Sequence, residues 1–369
     1  MKLSTLLIAL GLVIAAARCG AVSPAELGRV EIAEDGRGFR IAGSAEGFHP
    51  WGMNYGNEGR LMEDFWDADW ETIVRDFHKL REMRANTVRV HLQVGRFMRS
   101  RTEMNPEALR QFTRVLALAE ECGLRLDVTG LACYRPSDTP AWYDSLVEPG
   151  RWAAQAAFWE GIAEAGQGHA SVFCYDLINE PISPGEKRAP GQWRSGSSLG
   201  GCDFLQFIAL DPAGRNREDI PVEWIRKMRA AIRKHDAQAL ITVGLLPWSR
   251  KWHYLSGFIP EKVAKELDFL SVHIYPETKD PDEAVECLRH YSAGKPVVIE
   301  ETFSLSCSVP ELETFLRRSR EWACGWVGHY DGESLADYEA KEHAGQLTPK
   351  DAIYREWLKL FVRLGPEFK

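Results

Sequence analysis

From Gly47 onward the chain alternates short apolar runs with amphipathic stretches at intervals of a few tens of residues. That is the pattern of βα units feeding a parallel sheet. Eight runs read as strands, over 48–55, 87–92, 124–131, 172–178, 239–245, 269–274, 296–299 and 323–330. Between them Trp70, Ile73, Val74, Phe77 and Leu80 recur at helical spacing, as do Leu109, Phe112, Leu116 and Ala119, then Ile225, Met228 and Ile232. Such stripes are core faces of helices rather than cofactor boxes. A last set, Ile353, Trp357, Leu360 and Phe361, follows the helix-start signal Thr348-Pro349. Eight units in 369 residues predict an α/β fold, a closed (β/α)8 TIM barrel forming one domain. An open doubly wound sheet competes, but no Gly-x-Gly-x-x-Gly follows the first strand, so a dinucleotide site lacks its fingerprint.

Ahead of the barrel, Val30-Glu31-Ile32 and Phe39-Arg40-Ile41 flank a Gly-rich turn and predict a β-hairpin. Residues 1–21 read as a signal peptide, with Lys2 as the positive region, Leu6 to Ala17 as the apolar run, and small residues at Ala15, Ala17 and Ala21. The mature domain is then 22–369, secreted or periplasmic. The apolar run falls short of the roughly 20 residues a bilayer span needs, so no stable membrane anchor is expected. An irregular stretch from Ile182 to about Ile220 follows the fourth strand, where it would overhang the barrel mouth; either it shapes the site through Trp193 or Phe204, or it is a surface insertion.

The net charge of -8 gives no basic footprint, which argues against nucleic acid or an anionic membrane as a partner. Thirteen tryptophans are a high share; core packing takes most of them and leaves a minority for flat surfaces that would suit sugar rings. Loss of the signal would leave seven cysteines, Cys122, Cys133, Cys174, Cys202, Cys287, Cys307 and Cys324, an odd number that leaves room for one or two disulfides. No Cys-x-x-Cys pair or Cys/His spacing marks a zinc site, and several thiols are expected to be buried in strands.

The active site of such a barrel lies at the carboxyl ends of its strands. Asn179-Glu180 end strand four, His273 and Tyr275 end strand six, and Glu300-Glu301 end strand seven. Two carboxylates on different strands, converging on one cleft, are what glycosidic hydrolysis requires. Taken together, NTVRVHL, HASVFCYDLINEP, LSVHIYPE and KPVVIEETF resemble clan A glycoside hydrolases, closest to family 5, the cellulase and mannanase family, over the stretch from WGMNYG to GWVGHYDG.

That resemblance implies a retaining glycosidase acting on a β-linked glycan, β-glucan or β-mannan, with an oligo- or polysaccharide substrate and neither cofactor nor metal. It implies Glu180 as acid/base and Glu301, six residues after Lys295, as nucleophile. Because neighbouring strand residues face opposite ways, Glu300 is expected to lie behind the barrel wall in a structural role. The same resemblance gives Arg89 as the cation beside the nucleophile, Asn179 as holder of the 2-hydroxyl of the reacting sugar, and His273 and Tyr275 as the His-x-Tyr pair. At strand eight it implies Trp326 as a sugar platform, unless the register puts His329 or Tyr330 there. Trp51, Trp248 and Trp252 are further platform candidates, with core packing as the competing role. The chain departs from the family in having Asp127-Val-Thr-Gly-Leu where many members carry a His near the end of strand three, and Glu301-Thr302-Phe303 where many have Gly after Glu-Phe. The missing strand-three His and the open choice at strand eight leave a non-catalytic carbohydrate-binding barrel as an alternative, and a transglycosidase would use the same site with sugar in place of water as acceptor.

Overall fold

A computed structural model describes residues 27–368 apart from 197, 250 and 252. The predicted signal segment and Trp252 lie outside the described residues. Eight parallel strands close into a barrel: β1 (Trp51–Gly56), β2 (Thr87–Gln93), β3 (Arg125–Ala132), β4 (Val172–Asn179), β5 (Ile241–Leu245), β6 (Leu270–His273), β7 (Val297–Glu301) and β8 (Gly325–Asp331). Each strand pairs with its neighbours in sequence, and β8 closes on β1 through a continuous register from Trp326↔Trp51 to Asp331↔Gly56. The expected eight-stranded barrel is therefore present, and no helix of the described residues is long and apolar enough to cross a membrane.

The two-residue period of the strands sorts side chains between the helical shell and the lumen. On β2, Val88, Val90 and Leu92 join the shell core, whereas Arg89 and His91 face inward onto Asn54 of β1. On β1, Trp51 stacks on Phe361 and Tyr55 meets Phe77 edge-on, both on the outer side. The outer helices begin with local signals that the sequence carries. The helix Trp70–Glu82 is capped by the Asp69 side chain, which accepts from the Thr72 backbone N–H. The helix Pro106–Cys122 starts on Asn105 and Pro106 and stops at Gly123, whose φ of 65° suits a residue without Cβ.

The predicted hairpin is a three-stranded antiparallel sheet, because Gly47–Phe48 adds to Val30–Ile32 and Phe39–Ile41. Phe39 packs edge-on against Phe173 and Phe269, each at 5.1 Å between ring centroids, and Phe48 reaches Phe173 as well. These rings, with Val298 and Val327 of the strands, form a second apolar cluster that stops the amino end of the barrel. Burial of this apolar surface leaves the carboxyl end as the accessible one.

Cys133, Cys174, Cys202, Cys287, Cys307 and Cys324 are free thiols, and Cys122, Cys133, Cys174 and Cys287 are buried. The stretch 182–220 is folded down rather than loose: Phe207 pairs with Ile182, Asp203 donates its backbone N–H to the Tyr134 carbonyl, and Gln206 reaches the Leu131 carbonyl. Trp193 is buried within it, its ring under the Arg151 guanidinium and its indole N–H on the Asp144 carbonyl. Of the two aromatic side chains expected to shape the mouth, Phe204 does so and Trp193 anchors the loop.

Candidate active site

Three strand ends deliver the central groups. Asn179 closes β4, and Glu180 follows with a left-handed φ of 44°, a strained position for a residue with a Cβ. His273 closes β6 and Glu301 closes β7. Carboxylate oxygens of Glu180 and Glu301 and a ring nitrogen of His273 lie within 4.8 Å of one another.

Glu301 is held from two sides. Arg89 Nη1 donates to its Oε1 at 2.5 Å, and the Tyr275 hydroxyl donates to its Oε2 at 2.6 Å. Burial alone would push this carboxyl up, but the charges of His273 and Arg89 and the Tyr275 hydroxyl hold it well below the usual range. Arg89 is fully buried, and its terminal nitrogens also donate to Asn54 Oδ1 at 2.8 Å, Asp176 Oδ2 at 2.8 Å and Asn179 Oδ1 at 2.9 Å. Asn179 is thereby oriented with its amide nitrogen toward the Phe204 carbonyl, at 3.3 Å.

His273 faces carboxylates with both ring nitrogens: Nδ1 stands 3.0 Å from Glu180 and Nε2 stands 3.3 Å from Glu300. Burial opposes its charge, yet Glu301, Glu180 and Glu300 together raise its pKa to about 10. Burial, then the Arg89 charge, keeps His91 neutral, and burial lowers His329 as well. His91 meets the Tyr134 hydroxyl at 2.6 Å, and His329 meets the Tyr275 hydroxyl at 2.8 Å.

Above these groups opens a cleft of about 770 Å³, lined among others by Asn54, His91, Phe204, Phe303, His329 and Tyr330. Its volume is that of a small-ligand site, roughly 300–1,000 Å³. Leu305 and Ile353 stand on its rim, 60% and 48% exposed. Ile353 therefore belongs to the mouth and not to the core stripe read from its spacing, because the helix Pro349–Phe368 begins at the carboxyl end of the barrel and its first turns face the cleft.

The structure brings Arg89, Asn179, Glu180, His273, Tyr275 and Glu301 together as expected. It removes Trp326 from the group. That residue sits near the start of β8, 4% exposed, its ring packed on Trp51 and Phe368 and its indole N–H bonded to Ser319 Oγ at 2.8 Å. The strand places Trp326 on the helical side and low in the barrel, and the mouth positions fall to His329 and Tyr330. Trp51 is core too, and Trp248 packs against His290 outside the residues lining the cleft.

The expectation that Glu300 lies behind the wall also fails: it is fully buried inside the lumen, against His273 and Arg89. Plain alternation carries it there, two residues after the inward Val298, and the irregular residue is Glu301: Val272 lies opposite Ile299 but His273 opposite Glu301. Such an irregularity breaks strict alternation and lets both glutamates approach one histidine. A similar shift between Thr242 and Gly244 brings both Asp176 and Asn179 inward from β4. Gly244 fills that gap because nothing larger fits: a Cβ there would stand 2.8 Å from Glu300, 2.9 Å from Arg89 and 2.9 Å from His273.

Residues that the motifs did not single out complete the site. Asn54 donates to the Glu300 and Gly328 carbonyls while accepting from Arg89. His91 was legible as the second inward residue after Arg89. Asp176 accepts from Arg89, Thr129 and the Gly244 backbone N–H. Among the described residues two groups, Glu180/His273/Glu301 and Asp127/Asp176/Glu300, offer metal-type ligand atoms within 4.8 Å. The positive charge a metal would bring is already supplied to both by His273 and Arg89.

A family model described as cellulase (glycosyl hydrolase family 5) matches residues 47–314. Among solved structures, an exo-β-1,4-mannosidase from Opitutaceae bacterium strain TAV5 matches with a TM-score of 0.63 at 19% identity, over 91% of this chain and 62% of its own. The chain thus spans less than two thirds of that protein. A β-1,4-mannanase from the common sea hare Aplysia kurodai matches at 0.59 and 15% identity, over 91% and 96% of the two chains. The catalytic domain of an endoglucanase from Thermobifida fusca matches at 0.57 and 15% identity, over 93% and 100%. At these identities the likeness speaks for the fold. No curated protein sequence matches the chain significantly.

Proposed function

The chain belongs to glycosyl hydrolase family 5, and from that membership we propose that this glycosidase cleaves a β-linked glycan with retention of configuration, Glu301 attacking and Glu180 shuttling the proton. The observation that carries this reading is the convergence of the pair, one carboxylate oxygen of each lying within 4.8 Å of the other. A retaining pair works at about 5–5.5 Å, whereas inversion needs roughly 6.5–9.5 Å to seat a water.

In the first step a Glu301 oxygen forms a bond to the anomeric carbon as the glycosidic C–O bond breaks, and Glu180 gives its proton to the leaving oxygen. In the second, water attacks the same carbon, Glu180 takes a proton from it, and Glu301 departs as carboxylate. Arg89 and Tyr275 hold Glu301 ionised and aligned for attack. Asn179, fixed by Arg89, is the group we assign to the sugar 2-hydroxyl, a contact that tightens as the ring flattens. The chemistry draws on the chain's own carboxylates, with no cofactor required.

The substrate class we favour is β-mannan or β-glucan, supported by the mannosidase, mannanase and endoglucanase among the structural neighbours. Export follows from the reading of residues 1–21, and amino-terminal sequencing of the mature protein from culture medium or periplasm tests it. A 2-deoxy-2-fluoro glycoside with an activated leaving group should arrest the enzyme and leave a sugar on Glu301, detected by peptide mass spectrometry. A label on another residue, or an inverted product by NMR, would refute the assignment. Glycan binding without turnover across mannan and glucan oligosaccharides would instead support a binding barrel, and product analysis with added acceptor sugars separates transfer from hydrolysis.

A further inference from the structure

The two-step reaction uses Glu180 and Glu301 but leaves a third buried glutamate unemployed. Glu300 Oε2 stands 3.3 Å from His273 Nε2, and His273 Nδ1 stands 3.0 Å from Glu180 Oε1 and 3.5 Å from Glu301 Oε2. The three glutamates thus surround one imidazole, at its lumen side and at its cleft side. We propose that Glu300 is a positioning residue that keeps His273 doubly protonated, so that a fixed positive charge stands between the two reacting carboxylates.

The geometry carries the argument. An ionised carboxylate only accepts hydrogen bonds, and with Glu300 at Nε2, 3.3 Å away, and the ionised Glu301 at Nδ1, 3.5 Å away, the ring satisfies both when each nitrogen carries hydrogen. That form is the imidazolium. Glu300 is fully buried, and its Oε1 has no hydrogen-bond partner, so it has no other neutralising contact than Arg89, at 3.5 Å, and His273. Burying an ion without such compensation is costly, which gives the pair a physical reason to stay charged.

The other groups around His273 fit this arrangement. From β3, Asp127 lies against Glu300, and burial followed by the Glu300 charge pushes it well up, so it sits as a neutral acid beside that carboxylate. From β4, Asp176 is occupied by Arg89 and Thr129, its pKa raised to about 6 by burial and by Glu300. From β2, Arg89 opposes the imidazolium charge while pairing with Glu301. From β8, His329 is pushed toward its neutral form by burial and hydrogen-bonds with Tyr275. Glu300 is therefore the partner of His273 that the reaction does not consume. When Glu301 becomes an ester in the intermediate, its negative charge disappears, and Glu300 remains to hold the ring charged beside Glu180 as that residue takes up its proton from water.

The inference rests on the reading of Glu180 and Glu301 as the reacting pair, and its test has an arm that does not. Side-chain ¹H–¹⁵N NMR of the full chain, with the His273 signal assigned by its loss in His273→Gln, should show both ring nitrogens protonated throughout pH 6–8. Glu300→Gln, nearly the same size, should lower the His273 titration midpoint by at least one pH unit, and Glu300→Asp should restore part of it. A neutral His273 in the wild type at pH 7, or a midpoint unchanged in Glu300→Gln, overturns the proposal whether or not the chain hydrolyses any glycan tested. If Glu300→Gln does not fold, the wild-type spectrum alone decides. On a cleaved substrate, Glu300→Gln should cut kcat at least tenfold with KM within twofold and move the acidic limb of kcat/KM to higher pH. An equal loss at every pH would mark a merely structural role and overturn it.

Discussion

Arg89, rooted on β2, sets its Nη1 2.5 Å from Oε1 of Glu301 at the end of β7, so the carboxylate at the barrel mouth is charge-paired by a guanidinium buried beneath it. The same guanidinium spans Asn54, Asp176 and Asn179. A lysine carries the charge but not the planar fork that makes these contacts together. Arg89→Lys should therefore lower kcat/KM by about 10²-fold or more on the preferred glycan. Arg89→Ala leaves buried carboxylates unpaired and should cost about 3–5 kcal/mol of stability in urea unfolding.

Tyr275 makes the second bond to Glu301, at 2.6 Å. Hydrogen bonds to charged groups contribute about 1.5–3 kcal/mol. Tyr275→Phe should slow kcat by roughly 10- to 100-fold, an estimate from that range. Because the hydroxyl helps hold Glu301 low, its removal should also move the acidic limb of the pH profile upward. An unaltered limb would show that the hydroxyl does not bear on the ionisation of Glu301.

The pH dependence of stability has a definite sign at His273. Its folded value, raised to about 10, lies above the ordinary value near 6.5, so the folded chain holds the proton more tightly than the unfolded one. The stabilisation is complete below about pH 6.5 and drains away as pH climbs toward 10. Urea midpoints of the wild type should fall across that window, and those of His273→Gln should fall less. Parallel curves for the two proteins would contradict the assignment.

Gly244 offers a steric test. A methyl group there would press on Glu300, Arg89 and His273 at 2.8–2.9 Å, all fully enclosed groups that have little room to yield. Overpacking of this kind costs about 1–3 kcal/mol. Gly244→Ala should lose that much stability and, by displacing the charge network, most of its turnover. Wild-type turnover in the variant would mean that the lumen network is looser than its distances imply.

Trp326 separates the two roles considered for it. As a core residue bonded to Ser319, its replacement by alanine should cost about 3–5 kcal/mol in unfolding experiments and leave KM nearly unchanged in protein that remains folded. A large rise in KM without loss of stability would return Trp326 to the cleft.

Much of this was written locally in the chain. Strand and helix periods fixed the number and order of elements, since a run such as Thr87–Gln93 sorts Val88, Val90 and Leu92 from Arg89 and His91 by parity alone. Parallel strands in a closed barrel also present all their carboxyl ends at one rim, so Asn179, Glu180, His273, Tyr275 and Glu301 converge once they are recognised as strand ends. What the tertiary structure alone decided was register. The shift opposite His273 admitted Glu301 beside the inward Glu300, the pairing of β8 with β1 put Trp326 low and outward, and the packed stretch after β4 brought Phe204 rather than Trp193 to the mouth. Each outcome depends on which residues of two separate strands or loops lie opposite one another, and a one-residue slip changes it without altering any local propensity.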